Sequence, residues 1–353
     1  MEQTPARRTR PWLRAVRGGV LGLVVGAMSG AALWFRPAFT PPLGDPGDGG
    51  RGIAALEPVR LGGRTQWILI RGDDARRPVV LMLLGEPGEA QIARAGDFRA
   101  LERDFIVVQW DRRGAGKSFA ADTAAGELRA SRDLADAAEL IGLLQRRLGQ
   151  ARVIVVGQDQ GARIGIALAQ ARPELVRAYV AVGQPSCSQA DTRAVQDSWL
   201  KQKALAADDR RTFALAAGGG DWDRTAALHR YGGVRTGGAA APSPLAAALA
   251  APEYTLAEAL DAQRGPALAR AGYRQDGPEE PLARSVPAVQ TPVFFFLGMD
   301  DEVAPRICSE RYAAALRAPL NQAAWFRRSA HQPYAEEPAA FRRELLKVAQ
   351  ATR

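Results

Sequence analysis

The sequence contains few of the residues from which metal and redox sites are built. Only two histidines and two cysteines occur among its 353 residues. Cys187 and Cys308 lie far apart in the chain, which fits neither a zinc-binding spacing nor a CxxC redox motif. We therefore expect no metal ion and no other cofactor. A disulfide between the two cysteines would require an oxidising compartment, and we favour the alternative of two unpaired small core residues.

Lysine is scarce as well. The net charge is +9, and the basic residues are 43 arginines and only four lysines. Together with the abundance of alanine, this imbalance is typical of a biased genome composition rather than of selection for phosphate contacts. Outside the N-terminus there is no basic block interleaved with aromatic residues, so we expect no nucleic-acid partner. A chain of this length has room for one large domain with an insertion, or for two domains.

The N-terminal region combines a basic segment with an uncharged one. Five arginines lie in residues 1–17, and residues 18–35 carry no charge. Such a stretch is close to the shortest that can span a bilayer, so we predict a single-pass transmembrane anchor at 18–35 after a cytoplasmic tail at 1–17. The basic side stays in the cytoplasm, which puts the main domain outside it, in the periplasm if the source is bacterial. A cleaved signal peptide is the alternative, and Arg7–Arg8 fits a twin-arginine signal poorly.

Glycine recurs at every fourth residue of the predicted anchor, at Gly18, Gly22, Gly26 and Gly30. Small residues along one helix face let a second helix approach closely. The anchor could therefore associate with another copy of itself as well as with the membrane.

Residues 36–53 are rich in proline and glycine, which predicts a linker. The remaining chain alternates between short apolar runs and helical patterns. The predicted strands lie near residues 54–61, 65–71, 79–84, 105–110, 153–156, 178–182, 292–297 and 322–326. We also predict a long helix capped by Ser131 and a final helix near 336–351. This alternation predicts an α/β fold, with a mostly parallel sheet and helices on both faces.

Residues 185–290 differ from the rest, because they contain no long β-branched run and are rich in alanine. We predict that they form a helical cap inserted into the sheet domain. The core would then consist of two parts, residues 54–184 and 291–353.

One short stretch predicts the centre of the site. The β-branched run Val153–Val156 leads into Gly157-Gln158-Asp159-Gln160-Gly161, and a helical pattern follows. Strand, sharp turn and helix around Gly-x-nucleophile-x-Gly form the nucleophile elbow. The backbone passes close to itself there, so a Cβ at either glycine would clash. The apex holds Asp159, where serine is the common residue.

Two further stretches supply candidate partners for Asp159. Asp300 and Asp301 follow a predicted strand, and His331 follows the last one. The carboxyl ends of parallel strands share one edge of the sheet, so these side chains should meet there. The chain order of nucleophile, acid and histidine is the one found in α/β-hydrolases. Considered singly, Asp301 could be a turn-capping carboxylate and His331 an ordinary loop histidine.

With these motifs, the chain resembles the α/β-hydrolase superfamily, and within it the prolyl-iminopeptidase-like branch (peptidase family S33). The residues that carry the resemblance are Val107–Ser118, the elbow, Gly183-Gln184, Arg230–Gly233, Phe295–Asp301, Ser329–Pro333 and Glu336–Pro338. The resemblance implies that His331 is the base and Asp301 its orienting acid, with Asp300 as the alternative. It also implies an oxyanion hole made by the backbone of Glu86 and Gln160, and a small-molecule substrate.

The departures from the family pattern bear on the reaction. The segment Leu84-Gly85-Glu86-Pro87-Gly88 stands where family members have His-Gly-Gly-Pro-Gly. An aspartate that attacked a peptide carbonyl would form an anhydride, which disfavours peptidase activity. It can instead attack an sp³ carbon and form an ester, which water activated by His331 then hydrolyses. Epoxide hydrolases and haloalkane dehalogenases resemble this arrangement.

Dehalogenases commonly have tryptophan after the nucleophile, and Gln160 stands there, so we favour the epoxide-hydrolase-like reaction. Opening an epoxide needs an acid, for which Tyr231, Tyr254 and Tyr273 of the cap are candidates. The alternative function is a catalytically inactive homologue that acts as a binding or scaffold module at the membrane. Glu86 favours this alternative, because its charge beside the oxyanion hole would oppose an anionic intermediate.

Overall fold

The computed structural model describes residues 37–43, 51–218, 223–238, 242–276 and 280–353. Within these ranges an eight-stranded sheet forms the centre of the fold. Its strands are β1 (Ile53–Leu61), β2 (Arg64–Gly72), β3 (Val79–Leu83), β4 (Ile106–Asp111), β5 (Val153–Gln158), β6 (Val176–Val182), β7 (Val293–Gly298) and β8 (Asn321–Phe326). Every predicted strand is present, and its ends differ from the prediction by two residues at most.

The order of the strands is β1-β2-β4-β3-β5-β6-β7-β8. The first two strands form an antiparallel hairpin, and β2 also pairs antiparallel with β4. All other pairs are parallel. The parallel strands β3 to β7 are buried throughout apart from Arg177, because helices cover both faces of the sheet.

The helices among the described residues divide into core helices and a group between β6 and β7. The core helices are α1 (Ala130–Leu148), α2 (Gln160–Ala171), α10 (Arg306–Ala315), α11 (Pro333–Glu336) and α12 (Pro338–Ala351). The group between β6 and β7 comprises α3 (Gln189–Ala206), α4 (Arg210–Gly218), α5 (Arg224–Arg230), α6 (Pro244–Ala250), α7 (Leu256–Asp261), α8 (Gly265–Tyr273) and α9 (Leu282–Ser285).

Side chains from α1, α2 and α10 pack on one face of the sheet, for example Leu140, Ile164 and Tyr312. On the other face, Phe341 and Leu345 of α12 pack with Phe98 from a 3-10 segment. The sheet therefore lies between two apolar layers, as the alternation of strands and helices predicts.

The start of α1 differs from the sequence prediction. Ser131 lies inside the first turn, and Arg129 occupies the N-cap position without a side-chain cap. The backbone N–H of Ala130 donates instead to Asp276 at 2.9 Å, from the region between β6 and β7. The acceptor at this helix end is therefore a carboxylate from a distant part of the sequence, and not the nearby serine hydroxyl that the sequence pattern predicted.

Cys187 and Cys308 form a disulfide, with their Cα atoms 5.4 Å apart. The expectation that both remain unpaired is therefore wrong. Cys187 follows β6 and Cys308 lies in α10, so the bond joins residues 121 positions apart in sequence. Next to it, the hydroxyl of Ser309 donates to the carbonyl of Gln184 at 3.1 Å. The disulfide holds the beginning of the segment between β6 and β7 against the core.

No helix in the described part of the chain is long and apolar enough to cross a membrane. The predicted tail at 1–17 and anchor at 18–35 lie outside the described residues. Residues 37–43, from the predicted linker, contact the folded region. The N–H of Phe39 donates to the carbonyl of Pro252 at 3.0 Å, and Arg71 Nη1 donates to Thr40 Oγ1 at 2.6 Å.

Candidate active site

The chain turns sharply between β5 and α2, and Asp159 is at the turn. Its φ and ψ angles are 53° and −126°, a backbone region that residues other than glycine rarely adopt. The turn also brings Gly161 against the end of β3, where an added Cβ would lie 2.0 Å from the carbonyl oxygen of Leu83. This geometry is the strained elbow that the sequence predicts.

The structure brings Asp159, His331 and Asp301 together. His331 Nε2 lies 2.6 Å from Asp159 Oδ1, and His331 Nδ1 lies 2.9 and 3.0 Å from the two carboxylate oxygens of Asp301. The side chains of His331 and Asp301 are 4% and 5% exposed, whereas that of Asp159 is 14% exposed. A small molecule would therefore meet Asp159 first.

The neighbouring Asp300 is exposed, and its contact with the histidine loop is through its backbone N–H, which donates to the carbonyl of Ser329 at 3.1 Å. Asp301 is buried, and the N–H groups of Val303 and Ala304 donate to its Oδ1 at 3.0 and 3.1 Å. Of the two adjacent carboxylates, Asp301 is the one that contacts His331.

The charges around His331 favour its protonated form. Burial by itself lowers the pKa of the imidazole, but the adjacent carboxylates of Asp159 and Asp301 outweigh this effect and raise the pKa well above its ordinary value. The imidazole thus lies between two carboxylates that both favour its protonated form. Removing the charge of Asp159 would remove one of the two groups that keep the proton on His331.

The loop that carries His331 is held from several sides. Gln158, at the end of β5, donates from Nε2 to the carbonyl of His331 at 2.9 Å and accepts from the Tyr334 hydroxyl at 2.7 Å. The backbone N–H of His331 donates to the carbonyl of Val234 at 3.2 Å. Glu336 accepts from the N–H of Thr236 at 2.8 Å and from that of Ala330 at 3.2 Å. These bonds fix the position of the imidazole.

The residue opposite the imidazole is Gly183, which follows β6 with a φ of +48°. A Cβ at this position would lie 2.4 Å from His331 Cε1 and 2.6 Å from Nδ1. The site thus leaves no room for any side chain at Gly183.

The loop after β3 carries the predicted oxyanion donor, Glu86. Its backbone N–H donates to Glu89 Oε2 at 3.3 Å, so this group already has a partner. Arg112, fully buried, donates from Nη2 to the carbonyls of Leu84, Gly85 and Glu86 at 3.3, 3.2 and 2.9 Å. The buried guanidinium of Arg112 therefore fixes the backbone of this loop from the protein interior.

The second predicted donor, Gln160, is the first residue of α2. The first N–H groups of a helix have no acceptor within the helix, so this one is suited to an anionic oxygen.

The side chain of Glu86 has a strongly shifted pKa. More than a third of its surface is open to solvent, and desolvation of the carboxyl group is the main cause of a rise in its pKa to about 7. The carboxylates of Asp159 and Glu89 add to the rise, while Arg112 and His331 oppose it. Burial, followed by Asp159, also raises the pKa of Glu89.

The three tyrosines proposed from the sequence as acids are engaged elsewhere. Tyr231 donates to Asp209 at 2.9 Å and Tyr273 to Asp133 at 2.5 Å. Tyr254 donates to the buried Asp111. Each of the three hydroxyls thus already has a carboxylate acceptor, and their assignment as leaving-group acids stays a prediction.

Sequence reasoning gave no role to four residues that position the site, Gln158, Glu336, Arg112 and Glu89. Arg112 and Glu336 stand in segments that carry the family resemblance, which was the available signal for them. Gln158 lies in the elbow, which carries the resemblance as well, but nothing in the sequence indicated its distant partners, and Glu89 had no such signal because its partner is on the backbone of its own loop.

Comparison with known proteins identifies the fold family. A family model described as alpha/beta hydrolase fold matches residues 78–329. The chain is 24% identical over 305 residues to the probable aminopeptidase YbaC of Bacillus subtilis (strain 168), covering 84% of this chain and 96% of that protein.

Two solved structures are similar in fold. The proline iminopeptidase of Mycobacterium smegmatis matches with a TM-score of 0.60 at 20% identity, over 84% of this chain and 98% of that one. Epoxide hydrolase VrEH1 of Vigna radiata matches with a TM-score of 0.53 at 19% identity, over the same shares of the two chains. At these identities the likeness shows the fold alone.

Proposed function

Because the chain belongs to the α/β-hydrolase fold family, we propose that it is a hydrolase in which Asp159 attacks a small electrophilic molecule of the epoxide class. The observation that carries the proposal is the 2.6 Å contact between Asp159 and His331, with Asp301 behind the imidazole. The backbone strain at Asp159 supports it, because such strain is retained where the surrounding structure and function require it.

In the first step a carboxylate oxygen of Asp159 attacks the sp³ carbon. The carbon–oxygen bond of the epoxide breaks, and its electron pair stays on the leaving oxygen, which takes up a proton. The product is an ester of Asp159. An ester carries no charge, so the pKa of His331 falls, and the imidazole can release its proton.

In the second step, neutral His331 takes a proton from water, and the water oxygen attacks the ester carbonyl of Asp159. The backbone N–H of Gln160 is suited to the oxygen on which negative charge then develops. Collapse of this intermediate breaks the ester bond and frees the diol. Asp301 holds the imidazole orientation in both steps.

A trapping experiment tests the proposal. His331→Ala should stall the second step, so incubation with an epoxide should add the whole mass of the probe to the peptide that contains Asp159, and incubation with an alkyl halide should add the alkyl group without the halide. Asp159→Asn should gain no mass in a single turnover. His229→Ala, which replaces the other histidine of the chain, is the matched control and should turn over without accumulating an adduct.

A second candidate function is a binding module without activity. It is favoured by one observation, the carboxylate of Glu89 on the N–H of Glu86, which occupies a donor that a serine hydrolase would use. No adduct with any electrophile, combined with esterase activity in Asp159→Ser, would favour this candidate over the hydrolase.

We also propose the topology of the whole chain. Residues 18–35 would anchor it in the membrane, with 1–17 in the cytoplasm and the core (54–184 and 291–353) and cap (185–290) outside. The disulfide Cys187–Cys308 supports this assignment, because such bonds persist in oxidising compartments. A reporter fused after Arg353 should be active outside the cytoplasm, and activity restricted to the cytoplasm would exclude the proposed orientation.

A further inference from the structure

The proposed reaction leaves one group unassigned, the acid that protonates the leaving oxygen. Opening an epoxide produces an alkoxide, which is a poor leaving group unless a positioned acid gives it a proton. The hydroxyls of Tyr231, Tyr254 and Tyr273 already donate to Asp209, Asp111 and Asp133. A donor without such an acceptor would come from another element next to Asp159.

The loop after β3 is such an element. Leu83, the last residue of β3 before the loop, pairs in parallel with Gly157 of β5. The carbonyl of Leu83 lies against Gly161, on the other side of the elbow. The start of the loop therefore lies against the elbow that carries Asp159.

Within residues 83–88, every residue is buried except Glu86. Arg112 holds the loop carbonyls from the protein interior, which leaves the side chain of Glu86 as the part of the loop that can reach a bound molecule. Its carboxyl group is close enough to Asp159 and His331 for both to alter its titration.

We propose that Glu86 is the general acid of this site and that its substrates are epoxides, a proposal that rests on the proposed role of Asp159. In the family the same position supplies a backbone N–H. Here the N–H is taken by Glu89, and the side chain takes part in the reaction instead.

Burial and the neighbouring charges shift Glu86 toward its protonated form. Burial raises its pKa most, the carboxylates of Asp159 and Glu89 raise it further, and Arg112 and His331 lower it, with a result of about 7. Glu89 lies in the same field, with burial and Asp159 raising its pKa, and with the N–H of Glu86, Arg94 and Arg112 lowering it. The negative charge of Glu89 therefore makes the loss of a proton from Glu86 less favourable.

An oxygen of Asp159 bonds to the epoxide carbon, the carbon–oxygen bond breaks, and the proton of Glu86 moves to the freed oxygen. The product is a hydroxy-ester on Asp159 and a carboxylate on Glu86. Hydrolysis of the ester by water then yields the diol, the carboxylate of Asp159 and one proton, which restores the acid form of Glu86.

The test compares two probes with the same carbon skeleton, 1,2-epoxyhexane and 1-iodohexane, in the full-length His331→Ala protein, where the adduct accumulates. Iodide leaves without a proton, whereas the epoxide oxygen needs one. Adding Glu86→Gln should slow alkylation by the epoxide about 100-fold or more, the range expected for loss of a general acid. The effect on the iodide should be smaller by at least one order of magnitude.

The pH profile supplies a second readout. With Glu86 present, the rate of epoxide alkylation should fall as the pH rises through the range in which Glu86 loses its proton, and the iodide rate should not follow this profile. Glu86→Asp should restore part of the epoxide rate and its pH dependence. Glu89→Gln should shift the midpoint to lower pH, because it removes a negative charge that faces Glu86.

Two results would overturn the assignment of Glu86. Equal slowing of both probes in Glu86→Gln would mean that the residue only positions the loop, and an unchanged epoxide rate would mean that another group is the acid. A His331→Ala protein with native Glu86 that gains no mass from either probe would instead refute the role of Asp159, and this inference with it.

Discussion

Replacing Gly183 by alanine tests the packing around His331 directly. Gly183 has a φ of +48°, and a Cβ there would lie 2.4 Å from His331 Cε1 and 3.3 Å from Asp301 Oδ2. A suitable control is Gly149, which has a φ of +65° and nothing within 4 Å of the position of its Cβ. The two substitutions share the backbone cost but differ in the steric conflict.

The expected loss of stability is therefore larger for Gly183→Ala than for Gly149→Ala. A left-handed conformation costs a non-glycine residue roughly 1–2 kcal/mol, and lower entropy of the unfolded chain offsets about 0.4–1 kcal/mol of that. Gly149→Ala should therefore lower the free energy of unfolding by about 1 kcal/mol. Gly183→Ala should lower the free energy of unfolding by about 1–3 kcal/mol more, because the added methyl group would overlap the imidazole of His331 and displace it.

The assay is urea unfolding of the two variants, together with NMR titration of the imidazoles. The chain has only two histidines, so a His229→Asn background leaves the signal of His331 alone. In Gly183→Ala the pKa of His331 should move toward its ordinary value, because the ring is displaced from Asp159 and Asp301. If this variant matched Gly149→Ala in stability and kept the native titration, the contacts described around His331 would be incorrect.

Two further expectations concern His331 and the disulfide. The folded-state pKa of His331 is raised, so its contribution to stability is complete below about pH 6.5, the ordinary value, and is lost as the pH rises through the folded pKa. Asp159→Asn should lower that pKa in the same NMR titration, and an unshifted signal would contradict the ion pair. Replacing Cys187 and Cys308 by serine opens a cross-link between residues 121 apart, which should lower the free energy of unfolding by about 4 kcal/mol. A reductant should destabilise the native protein in urea but leave the double variant unchanged, and equal sensitivity would argue against the bond.

The sequence alone predicted the sheet and the elbow because both are local signals. Runs such as Val153–Val156 are too short and too β-branched for helices, and their burial on both faces in a parallel sheet makes them uniformly apolar. The elbow adds two glycines whose absent side chains are required by the sharp turn. The meeting of Asp159, Asp301 and His331 was predicted from their positions after β5, β7 and β8, whose carboxyl ends share one edge of the parallel sheet.

The adjacent carboxylates show where the sequence stopped being informative. Asp300 and Asp301 have the same chemistry and differ by one position, so the pattern could not separate them. Only the turn after β7, which buries Asp301 and exposes Asp300, decides which of them meets His331.

The hydrogen-bond partners of the tyrosines and the pairing of the cysteines were also decided only by the tertiary structure. Tyr254 and Tyr273 could have pointed at the elbow, but their partners Asp111 and Asp133 lie more than a hundred positions away in sequence. The pairing of Cys187 with Cys308 likewise depends on where the fold places the end of β6 relative to α10. Periodicity reports which face of an element is buried, whereas contacts between distant elements arise only when the whole chain has packed.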